Sequence, residues 1–402
     1  AMADAFYRNW VEKNHSGDTS VTQEALAKDY WNIVETNSRK VAVDYGNDLD
    51  TVNYCSGFLK KASLDPVVKT EPAGTAGGSG SVFDEKFYAT TGWNLNNIPT
   101  TKGSLLQYLR TPINGINVPW LYVGMLFASF CWHNEDNYFY SISYNHFGAT
   151  KQWYCVPGDR AANFEKVSKD FLLGLFRETP DLLHHMTTQV SPSILLANGV
   201  PVYKMTQEER TFIVTFPKSY HSGFSYGFNC GEAVNFACSD WLVAGGAAEE
   251  RYRSFGRESV FSHQRLLFTL LHHYKDLELT SLKDLSQELL RVLDEELYSR
   301  PQIYKQGVRD LSKVVTLPSN NFEVIDSQAS EFDDLRQCHA CKQICIFSAV
   351  ACECDQNKVA CIRHFPNMCR CPATKKFLLE WASSDKLQAV REEVIKIGSE
   401  RN

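Results

Sequence analysis

About a third of the way along the chain the sequence reads Phe130-Cys-Trp-His-Asn-Glu-Asp136, which places His133 two residues before Glu135. A second histidine, His221, follows far downstream. Two histidines and one carboxylate form the facial triad of non-haem Fe(II) oxygenases, which leaves coordination positions open. Side chains two residues apart on a strand point the same way, so we expect His133 and Glu135 to reach one metal and His221 to come from another strand. The alternative is an ordinary surface or core pair, because His-x-Glu often occurs by chance.

The sequence around this motif predicts an antiparallel β-domain. Short β-like runs alternate with turn residues between positions 82 and 242; the clearest are 120–123, 138–144, 152–156, 211–216 and 232–236. This spacing favours an antiparallel barrel or jelly roll. Residues 166–177 and 180–185 are predicted to be helical insertions between the strands.

An N-terminal flank at residues 1–64 is predicted to pack on this barrel. It contains two helix-like stretches at 6–13 and 24–35, and an alternating stretch at 40–45 that predicts a strand. Residues 65–81 are rich in Pro, Gly, Ala, Thr and Ser and include Gly77-Gly-Ser-Gly80. That composition predicts a flexible linker, or a splice in place of an insert.

The C-terminal part of the chain is predicted to hold three regions: a helical region at 246–332, a Cys/His finger at 333–372 and a helical tail at 373–402. Residues 257–274 and 281–298 favour helices, and Ser281 with Asp284 suits an N-terminal cap. Five residues of the second helix form one apolar stripe. They are Leu285, Leu289, Val292, Leu293 and Leu297.

Composition narrows the possible functions. The net charge is −6, which argues against broad nucleic-acid binding because that needs a basic face, although a local basic patch is compatible with it. An acidic surface suits a basic partner such as a histone tail. The sequence has no apolar run of about 18 residues, so we predict no membrane span.

The cysteines are concentrated beyond residue 337 and occur in closely spaced pairs. Four ligand pairs, one of which ends in a histidine, suit two tetrahedral zinc sites better than disulfides. The pairs are Cys338 and Cys341, Cys352 and Cys354, Cys361 and His364, and Cys369 and Cys371. Reduced, metal-bound cysteines indicate the cytosol or the nucleus. Cys345 is left over and is predicted to be a buried or free thiol.

Lys151 lies two residues before the aromatic Trp153 and close to other aromatic positions. A lysine buried among aromatic rings needs an anionic partner, because an isolated buried charge is costly. A dicarboxylate cosubstrate would supply that partner. The alternative is a surface lysine whose aliphatic stem covers apolar surface while its ammonium stays in water.

The chain resembles the Jumonji C (JmjC) oxygenases in five stretches: 130–136, Tyr140-Ser-Ile-Ser-Tyr144, Lys151-Gln-Trp-Tyr154, Phe216-Pro-Lys-Ser-Tyr-His-Ser-Gly-Phe224 and Glu232-Ala-Val-Asn-Phe236. Within that family it is similar to the lysine-specific demethylase 5 subfamily, in Gly92-Trp-Asn-Leu-Asn-Asn-Ile-Pro99, Pro119-Trp-Leu-Tyr-Val-Gly124, Pro180-Asp-Leu-Leu-His184 and Pro201-Val-Tyr203. The resemblance extends from about residue 24 to residue 372.

The resemblance implies an α+β fold. Its centre would be a double-stranded β-helix, the jelly-roll or cupin-like JmjC barrel, at residues 82–245, with flanking helices, a helical domain and a small two-zinc finger. It further implies that His133, Glu135 and His221 hold Fe(II), and that Lys151 pairs with the distal carboxylate of 2-oxoglutarate. The other implied cosubstrate residues are Ser141, Tyr45, Phe130, Trp153 and Ser143.

The same resemblance assigns a substrate residue and the two structural zinc ions. Tyr122 would line a methylammonium pocket, where aromatic faces attract a cation; for Tyr122, Phe130 and Trp153 the alternative is plain aromatic packing. One zinc would be bound by Cys338, Cys341, Cys361 and His364. The other, interleaved with it, would be bound by Cys352, Cys354, Cys369 and Cys371. Sequential pairing along the chain is the rival arrangement.

The sequence departs from the family pattern at two serines and lacks some expected segments. Relatives carry asparagine where Ser143 and Ser225 stand, so cosubstrate affinity and substrate placement are expected to differ. We find no Jumonji N segment, ARID domain or first PHD finger, which predicts that the chain is a fragment, with an expected loss of stability or activity.

The resemblance implies an enzyme that uses Fe(II), 2-oxoglutarate and O2 to demethylate lysine 4 of histone H3, with release of formaldehyde and succinate. Its partners would be the methylated H3 tail and chromatin, and its location the nucleus; nothing in the sequence demonstrates DNA contact. Two alternatives stay open, a JmjC protein hydroxylase and a catalytically weak chromatin-binding scaffold. A seed-storage cupin would share the barrel but would explain neither Lys151 nor the finger.

Overall fold

The computed structural model describes residues 1–17, 20–36, 39–61, 85–109, 111–310 and 336–399. The chain forms two compact units, Ala1–Ala237 and Cys238–Asn402. The first unit therefore contains both the N-terminal flank and the β-domain. The linker predicted at 65–81 lies wholly outside the described residues. Within the described part of the chain, no helix combines the length and apolar character that a bilayer crossing needs.

The first unit is built on two antiparallel sheets, as the short alternating runs predict. One has five strands in the order β1-β2-β9-β4-β7, and the other has four in the order β3-β8-β5-β6. The strands are β1 (Gly46–Asp50), β2 (Trp120–Gly124), β3 (Ser129–His133), β4 (Tyr140–Gly148), β5 (Lys151–Val156), β6 (Tyr203–Gln207), β7 (Phe212–Thr215), β8 (Tyr220–Ser225) and β9 (Asn229–Phe236). This is the cupin-like, mixed helix and antiparallel-sheet architecture that the sequence predicts.

In the described part of the first unit, six α-helices accompany these sheets. They are α1 (Met2–Asn14), α2 (Gln23–Thr36), α3 (Glu85–Thr90), α4 (Ala161–Phe171), α5 (Leu173–Glu178) and α6 (Pro192–Ala197). The first two cover the four-stranded sheet with aromatic side chains: Tyr30 of α2 stacks on Phe224 of β8 with ring centroids 3.9 Å apart. Trp132 of β3 is fully buried in the same core, and its indole nitrogen donates to the carbonyl of Val190 at 2.8 Å.

A buried carboxylate fastens the segment after β1 to the five-stranded sheet. The side chain of Glu232 on β9 is 0% exposed and accepts hydrogen bonds from three donors. The Ser56 hydroxyl donates at 2.6 Å and the Gly57 amide at 2.9 Å, and His146 Nε2 lies at 2.8 Å. These partners replace the water that a carboxylate loses on burial.

The second unit combines helices with a small sheet. The helices are α7 (Trp241–Phe255), α8 (His263–His272), α9 (Leu279–Lys305) and α10 (Ser384–Ser399). The strands are β10 (Arg309–Asp310), β11 (Ser348–Cys352), β12 (Asp355–Ala360) and β13 (Lys376–Glu380), in the order β10-β13-β11-β12. The predicted helical tail therefore begins with a strand, β13, that pairs antiparallel with β11 of the finger.

Several predicted elements of the first unit differ from the structure. Residues 40–45 do not form a strand, because the ladder starts only where Gly46 pairs with Val123. The helix predicted at 166–177 is interrupted at Leu172, whose φ of −108° and ψ of 32° end α4 before α5 starts. Only a 3₁₀ turn, Leu182–His185, forms where a helix was predicted at 180–185.

Two helix starts in the second unit were also predicted wrongly. The helix predicted at 257–274 begins at His263, because Gly256 in the left-handed region ends α7 and the Ser262 hydroxyl caps α8 by accepting from the Arg265 amide at 3.3 Å. Ser281 is not a cap, since α9 begins two residues earlier, after Glu278. The predicted stripe lies inward, with Leu285, Leu289, Val292 and Leu293 all buried.

Arg300 joins α9 to the small sheet through a buried ionic network. Its side chain is 1% exposed and donates to Glu296 at 3.0 Å, to Glu380 at 3.1 Å and to the Phe347 carbonyl at 3.2 Å. Ser348 of β11 also donates to the Glu296 carboxylate. Burial raises the pKa of Glu296, although Arg300 and Ser348 oppose that rise. The network thus keeps a buried carboxylate paired at the junction between α9 and β11.

Replacement of Arg300 is expected to destabilise the second unit. An Arg300→Met variant leaves Glu296 without its cation, and breaking a buried pair in this way costs about 3–5 kcal/mol. The double variant Arg300→Met/Glu296→Met removes both charges and is expected to recover most of that loss. Differential scanning calorimetry of the unit's transition measures both. Equal destabilisation by the single and double variants would contradict the pairing argument.

Candidate metal centres

The three predicted iron ligands meet between β3 and β8. His133 is the last residue of β3 and pairs across the ladder with His221 of β8. The His-x-Glu spacing predicts Glu135 on the same strand as His133, two residues further on. In the structure Glu135 instead follows the end of the strand in an extended conformation, with φ −67° and ψ 151°. One ligand atom from each residue lies within 4.8 Å of the others. The structure therefore brings together the three side chains that the sequence predicts.

Backbone carbonyls orient both imidazoles. His133 Nδ1 lies 2.8 Å from the Cys131 carbonyl oxygen, and His221 Nδ1 lies 3.2 Å from that of Ser219. A carbonyl can only accept, so each Nδ1 carries the proton and each Nε2 keeps its lone pair. A metal-binding histidine needs this tautomer, with the second nitrogen fixed by a hydrogen bond.

The carboxylate of Glu135 has a different neighbour at each oxygen. Oε1 lies 3.1 Å from His221 Nε2, and Oε2 accepts from the Asn235 amide at 2.9 Å. Asn235, on β9, also donates to the Tyr140 carbonyl at 3.1 Å, which fixes the orientation of its side chain. Asn235 therefore positions Glu135 from the opposite sheet.

The pKa values of these groups favour the protonation states that bind a cation. Burial, with His221 as the next cause, lowers the pKa of His133 to about 4, although Glu135 opposes the shift. Burial alone would raise the pKa of Glu135, but His221, His133 and Asn235 together lower it to about 2. At neutral pH His133 is neutral and Glu135 is ionised, which suits a divalent metal.

A cavity of about 110 Å³ opens onto this cluster, between the two sheets. One water needs only ~10–15 Å³ of such space, so the cavity has room for a small organic ligand. The predicted cosubstrate and substrate residues all line it. They are Tyr45, Tyr122, Phe130, Ser141, Ser143, Lys151 and Trp153.

Lys151 brings a buried positive charge to the wall of the cavity. Its side chain is 4% exposed, and burial lowers the pKa of its ammonium to about 8. Among the described residues, no carboxylate or carbonyl forms an ion pair or hydrogen bond with this ammonium. Its Nζ lies 5.9 Å from the centre of the Tyr45 ring. The alternative of a surface lysine does not describe Lys151, because its ammonium faces a cavity and not bulk water.

The remaining cavity residues are held by neighbours that sequence patterns did not identify. The hydroxyl of Ser141 lies 2.5 Å from that of Thr215. The Trp153 indole donates to Gln207 at 3.0 Å, and Gln207 donates to the Ser143 carbonyl at 3.1 Å. Such long-range partners leave no local signal in the sequence, which explains why they were missed.

Two tyrosines form the side of the cavity nearest β1. The rings of Tyr45 and Tyr122 lie 6.4 Å apart. Burial raises the pKa of Tyr122 well above its usual range, and the nearby Asp48 carboxylate raises it further.

Ser225, the second of the two serines at which the sequence is expected to depart from the family pattern, lies outside the cavity lining. It is buried on β8, directly across the ladder from Lys151.

The Cys and His side chains of the second unit gather into two clusters. Cys338, Cys341, Cys361 and His364 form one, and Cys352, Cys354, Cys369 and Cys371 form the other, each with ligand atoms within 4.8 Å. The grouping is interleaved, and the sequential alternative does not match it. Cys345 lies buried outside both clusters.

The distances in the first cluster suit a tetrahedral metal ion. Cys341 and Cys361 sulfurs are 3.9 Å apart, and His364 Nδ1 lies 3.2 Å from Cys361 and 3.9 Å from Cys338. Zinc–ligand bonds of ~2.0–2.3 Å in a tetrahedron require separations of this order. Hydrogen bonds among the three thiols hold the pKa of Cys338 well below its usual range and raise the pKa of Cys341 and of Cys361, so zinc binding would have to displace protons from the last two.

Comparison with known proteins finds similarity to two families in the regions that contain these clusters. A family described as "JmjC domain, hydroxylase" matches residues 120–236, and one described as "C5HC2 zinc finger" matches residues 338–390. The chain is 41% identical over 397 residues to lysine-specific demethylase JMJ17 of Arabidopsis thaliana, which covers 99% of this chain and 31% of that protein. It is 38% identical over 371 residues to lysine-specific demethylase 5B of Gallus gallus, a match that covers 92% of this chain and 22% of that protein. It is 36% identical over 389 residues to lysine-specific demethylase 5D of Homo sapiens, a match that covers 96% of this chain and 23% of that protein. The chain thus spans less than a third of the length of these relatives.

Removal of the Asn235 amide is expected to weaken metal binding at the candidate iron centre. In an Asn235→Ala variant Glu135 loses the donor that fixes one oxygen, and loss of such an outer partner typically lowers metal affinity about 10–100-fold. Isothermal titration with Mn(II), an air-stable substitute for Fe(II), measures the change. Asn198→Ala, at an exposed asparagine of the same unit, is the control. An Asn235→Ala affinity equal to that of the control would contradict the role of Asn235.

Proposed function

The chain belongs to the JmjC-domain family, and we propose that it is an Fe(II)- and 2-oxoglutarate-dependent oxygenase that removes methyl groups from lysine 4 of histone H3. One observation carries the proposal: the His133, Glu135 and His221 cluster opens on a cavity in which Lys151 has no anionic partner among the described residues. JmjC proteins generally depend on Fe(II) and 2-oxoglutarate. The choice of lysine 4 rests on the likeness to lysine-specific demethylases 5B and 5D.

In this proposal His133 Nε2, His221 Nε2 and a Glu135 oxygen hold the iron. Bound iron, with 2-oxoglutarate and O2, supplies the oxidising power to hydroxylate a methyl C–H bond, and the hydroxymethyl amine then releases formaldehyde. The chain contributes the open metal face and the fixed orientation of its three ligands. Asn235 and the carbonyls of Cys131 and Ser219 set that orientation before any ligand binds.

The rest of the cavity would bind and orient the cosubstrate. Lys151 would pair with the distal carboxylate of 2-oxoglutarate, which converts an uncompensated buried charge into a buried ion pair. Ser141 and Tyr45 would add polar contacts. Phe130 and Trp153, whose ring centroids are 4.6 Å apart, would exclude water from one side. Ser143 would leave more space than the asparagine of relatives, because its side chain is shorter.

The substrate lysine would enter beside Tyr122 and Tyr45. A methylated ammonium is a cation of low charge density, and aromatic faces attract such a cation. The exposed Asp48 carboxylate, which interacts with Tyr122, adds negative potential there. Oxidation at a methyl carbon needs no nitrogen lone pair, so trimethyllysine would be an acceptable substrate.

The proposal places the protein at chromatin, in the nucleus, with the methylated H3 tail as its substrate. Two structural zinc ions would be held in the second unit by the interleaved clusters. Both sets use all four tetrahedral positions for protein ligands, so neither leaves the open site of a catalytic zinc.

Mass spectrometry of an H3 peptide trimethylated at lysine 4 tests the activity. With Fe(II), 2-oxoglutarate and ascorbate, we expect stepwise loss of methyl mass, and none with His221→Ala. A gain of one oxygen without methyl loss would instead indicate a protein hydroxylase. Succinate formation without a change in the peptide would exclude lysine 4 as the target. Absence of both iron and succinate would rule out catalysis by this chain.

The affinity for 2-oxoglutarate is expected to depend on pH through Lys151. The pKa of its ammonium is about 8, so affinity should fall as the pH rises through that value and the charge is lost. A charge-assisted hydrogen bond contributes ~1.5–3 kcal/mol, so Lys151→Gln should lose about 10–100-fold in affinity at pH 7. Calorimetric titration of 2-oxoglutarate into the Mn(II)-loaded protein measures both effects.

Lys151→Arg serves as the matched control for the pH profile, because a guanidinium stays charged over this range. We expect its affinity to be nearly constant between pH 7 and 9. A parallel decline in both proteins would attribute the pH dependence to another group.

A further inference from the structure

Arg253, in the last turn of α7, donates to two sulfurs of the first cysteine cluster. Its Nη1 lies 3.6 Å from Cys341 Sγ and 3.7 Å from Cys361 Sγ, within the range of N–H···S hydrogen bonds. The two acceptors come from different parts of the finger, twenty positions apart. One planar guanidinium group therefore bridges both halves of the cluster from outside the finger sequence.

The side chain of Arg253 is held in this position by its own helix. It is 10% exposed, and its Nη2 lies 3.5 Å from Glu249 while its Nε lies 3.6 Å from Glu250. Glu250 in turn accepts two bonds from Arg363, at 2.5 and 3.1 Å, and Arg363 lies between Cys361 and His364 in the sequence. The carboxylates of α7 thus fix both arginines that flank the cluster.

The segment after α7 also packs against residues 340–343 of the finger. Gly256, with φ +62°, ends α7, and a Cβ there would lie only 3.1 Å from the Ala340 carbonyl oxygen. The Gln343 amide donates to the Arg257 carbonyl at 2.6 Å, and its oxygen accepts from Ser259 at 2.8 Å. The first cluster is therefore built partly by residues 253–259, outside the 338–390 match.

The charges differ between the two clusters. Three thiolates, one neutral histidine and one Zn²⁺ would leave the first cluster with one net negative charge, toward which Arg253 directs its Nη1. Four thiolates would leave the second cluster with two. Within the described residues, no arginine or lysine donates to a sulfur of Cys352, Cys354, Cys369 or Cys371. The second cluster can therefore serve as an internal reference for zinc release. It would bind the same metal, and no arginine of the described residues donates to its sulfurs.

We propose that Arg253 is a positioning residue for the first zinc, which it stabilises by charge-assisted hydrogen bonds to Cys341 and Cys361. Hydrogen bonds to charged acceptors are the stronger kind, and here they also fix the directions of two thiolates. Their loss should weaken zinc binding at this cluster and leave the second cluster unchanged. The inference rests on the zinc assignment proposed above, which zinc analysis of the unmodified protein tests separately, since it requires two zinc ions per chain.

The experiment compares the whole chain with Arg253→Gln, Arg253→Lys and Arg251→Gln. Arg251→Gln removes the same charge from the same helix, two residues before Arg253. Zinc release to a chromophoric chelator is followed together with native mass spectrometry. In Arg253→Gln we expect one zinc to be released at about 10–100-fold lower chelator activity, and the second zinc at an unchanged level. Arg253→Lys keeps the charge but not the planar guanidinium. Its zinc should therefore be released at a chelator activity between those of the unmodified protein and Arg253→Gln.

Exchange with ¹¹³Cd identifies the weakened site. A Cys₃His site and a Cys₄ site give separate cadmium resonances, and only the Cys₃His signal should shift and weaken in Arg253→Gln. Release equal to that of Arg251→Gln would overturn the proposal, as would equal weakening of both sites. If Arg253→Gln does not fold, Arg253→Lys decides the question by the same criteria.

Discussion

The candidate iron centre depends on the antiparallel pairing of β3 with β8, which sets His133 directly across from His221. A shift of one residue in this register would turn one imidazole to the other side of the sheet. The register is in turn secured by the core on the far face of the sheet, where Trp132 and Phe224 are fully buried. Trp132 packs against Phe164 of α4, and Phe224 stacks on Tyr30 of α2. Apolar packing on one face of the sheet therefore fixes polar geometry on the other.

Buried charges distinguish structural positions from functional ones in this molecule. Glu232 has three donors and Arg300 has two carboxylates, so each is satisfied within the protein. Lys151 is equally buried but finds no such partner among the described residues. The cost of burying that ammonium is recovered only when an anion enters the cavity. A buried charge that the fold leaves uncompensated is thus a stronger indication of a binding site than burial alone.

Much of the site could be predicted from the sequence, because its ligand types and spacings are distinctive. The triad, Lys151 and both interleaved clusters meet where the motifs and the family resemblance place them. The supporting residues could not be predicted, because their contacts join positions far apart in the sequence. Asn235 and Gln207 each bond to a residue of the opposite sheet, and Thr215 bonds to Ser141 across the β4–β7 ladder. Element boundaries were missed where a cap or a strand partner decides them, as at Ser262 and Gly46. A strand in the C-terminal tail was missed because its partner, β11, lies in the finger.

That last pairing has a consequence for where the finger can be separated from its surroundings. β13 covers one side of β11 along five residue pairs and also supplies Glu380 to Arg300. A chain cut at the final cysteine pair would leave β11 with a bare row of backbone donors and acceptors, which is the usual template for intermolecular strand addition. The cysteine pattern marks the metal sites but not the limit of a unit that can be excised. A soluble fragment should continue through α10 and begin no later than α7.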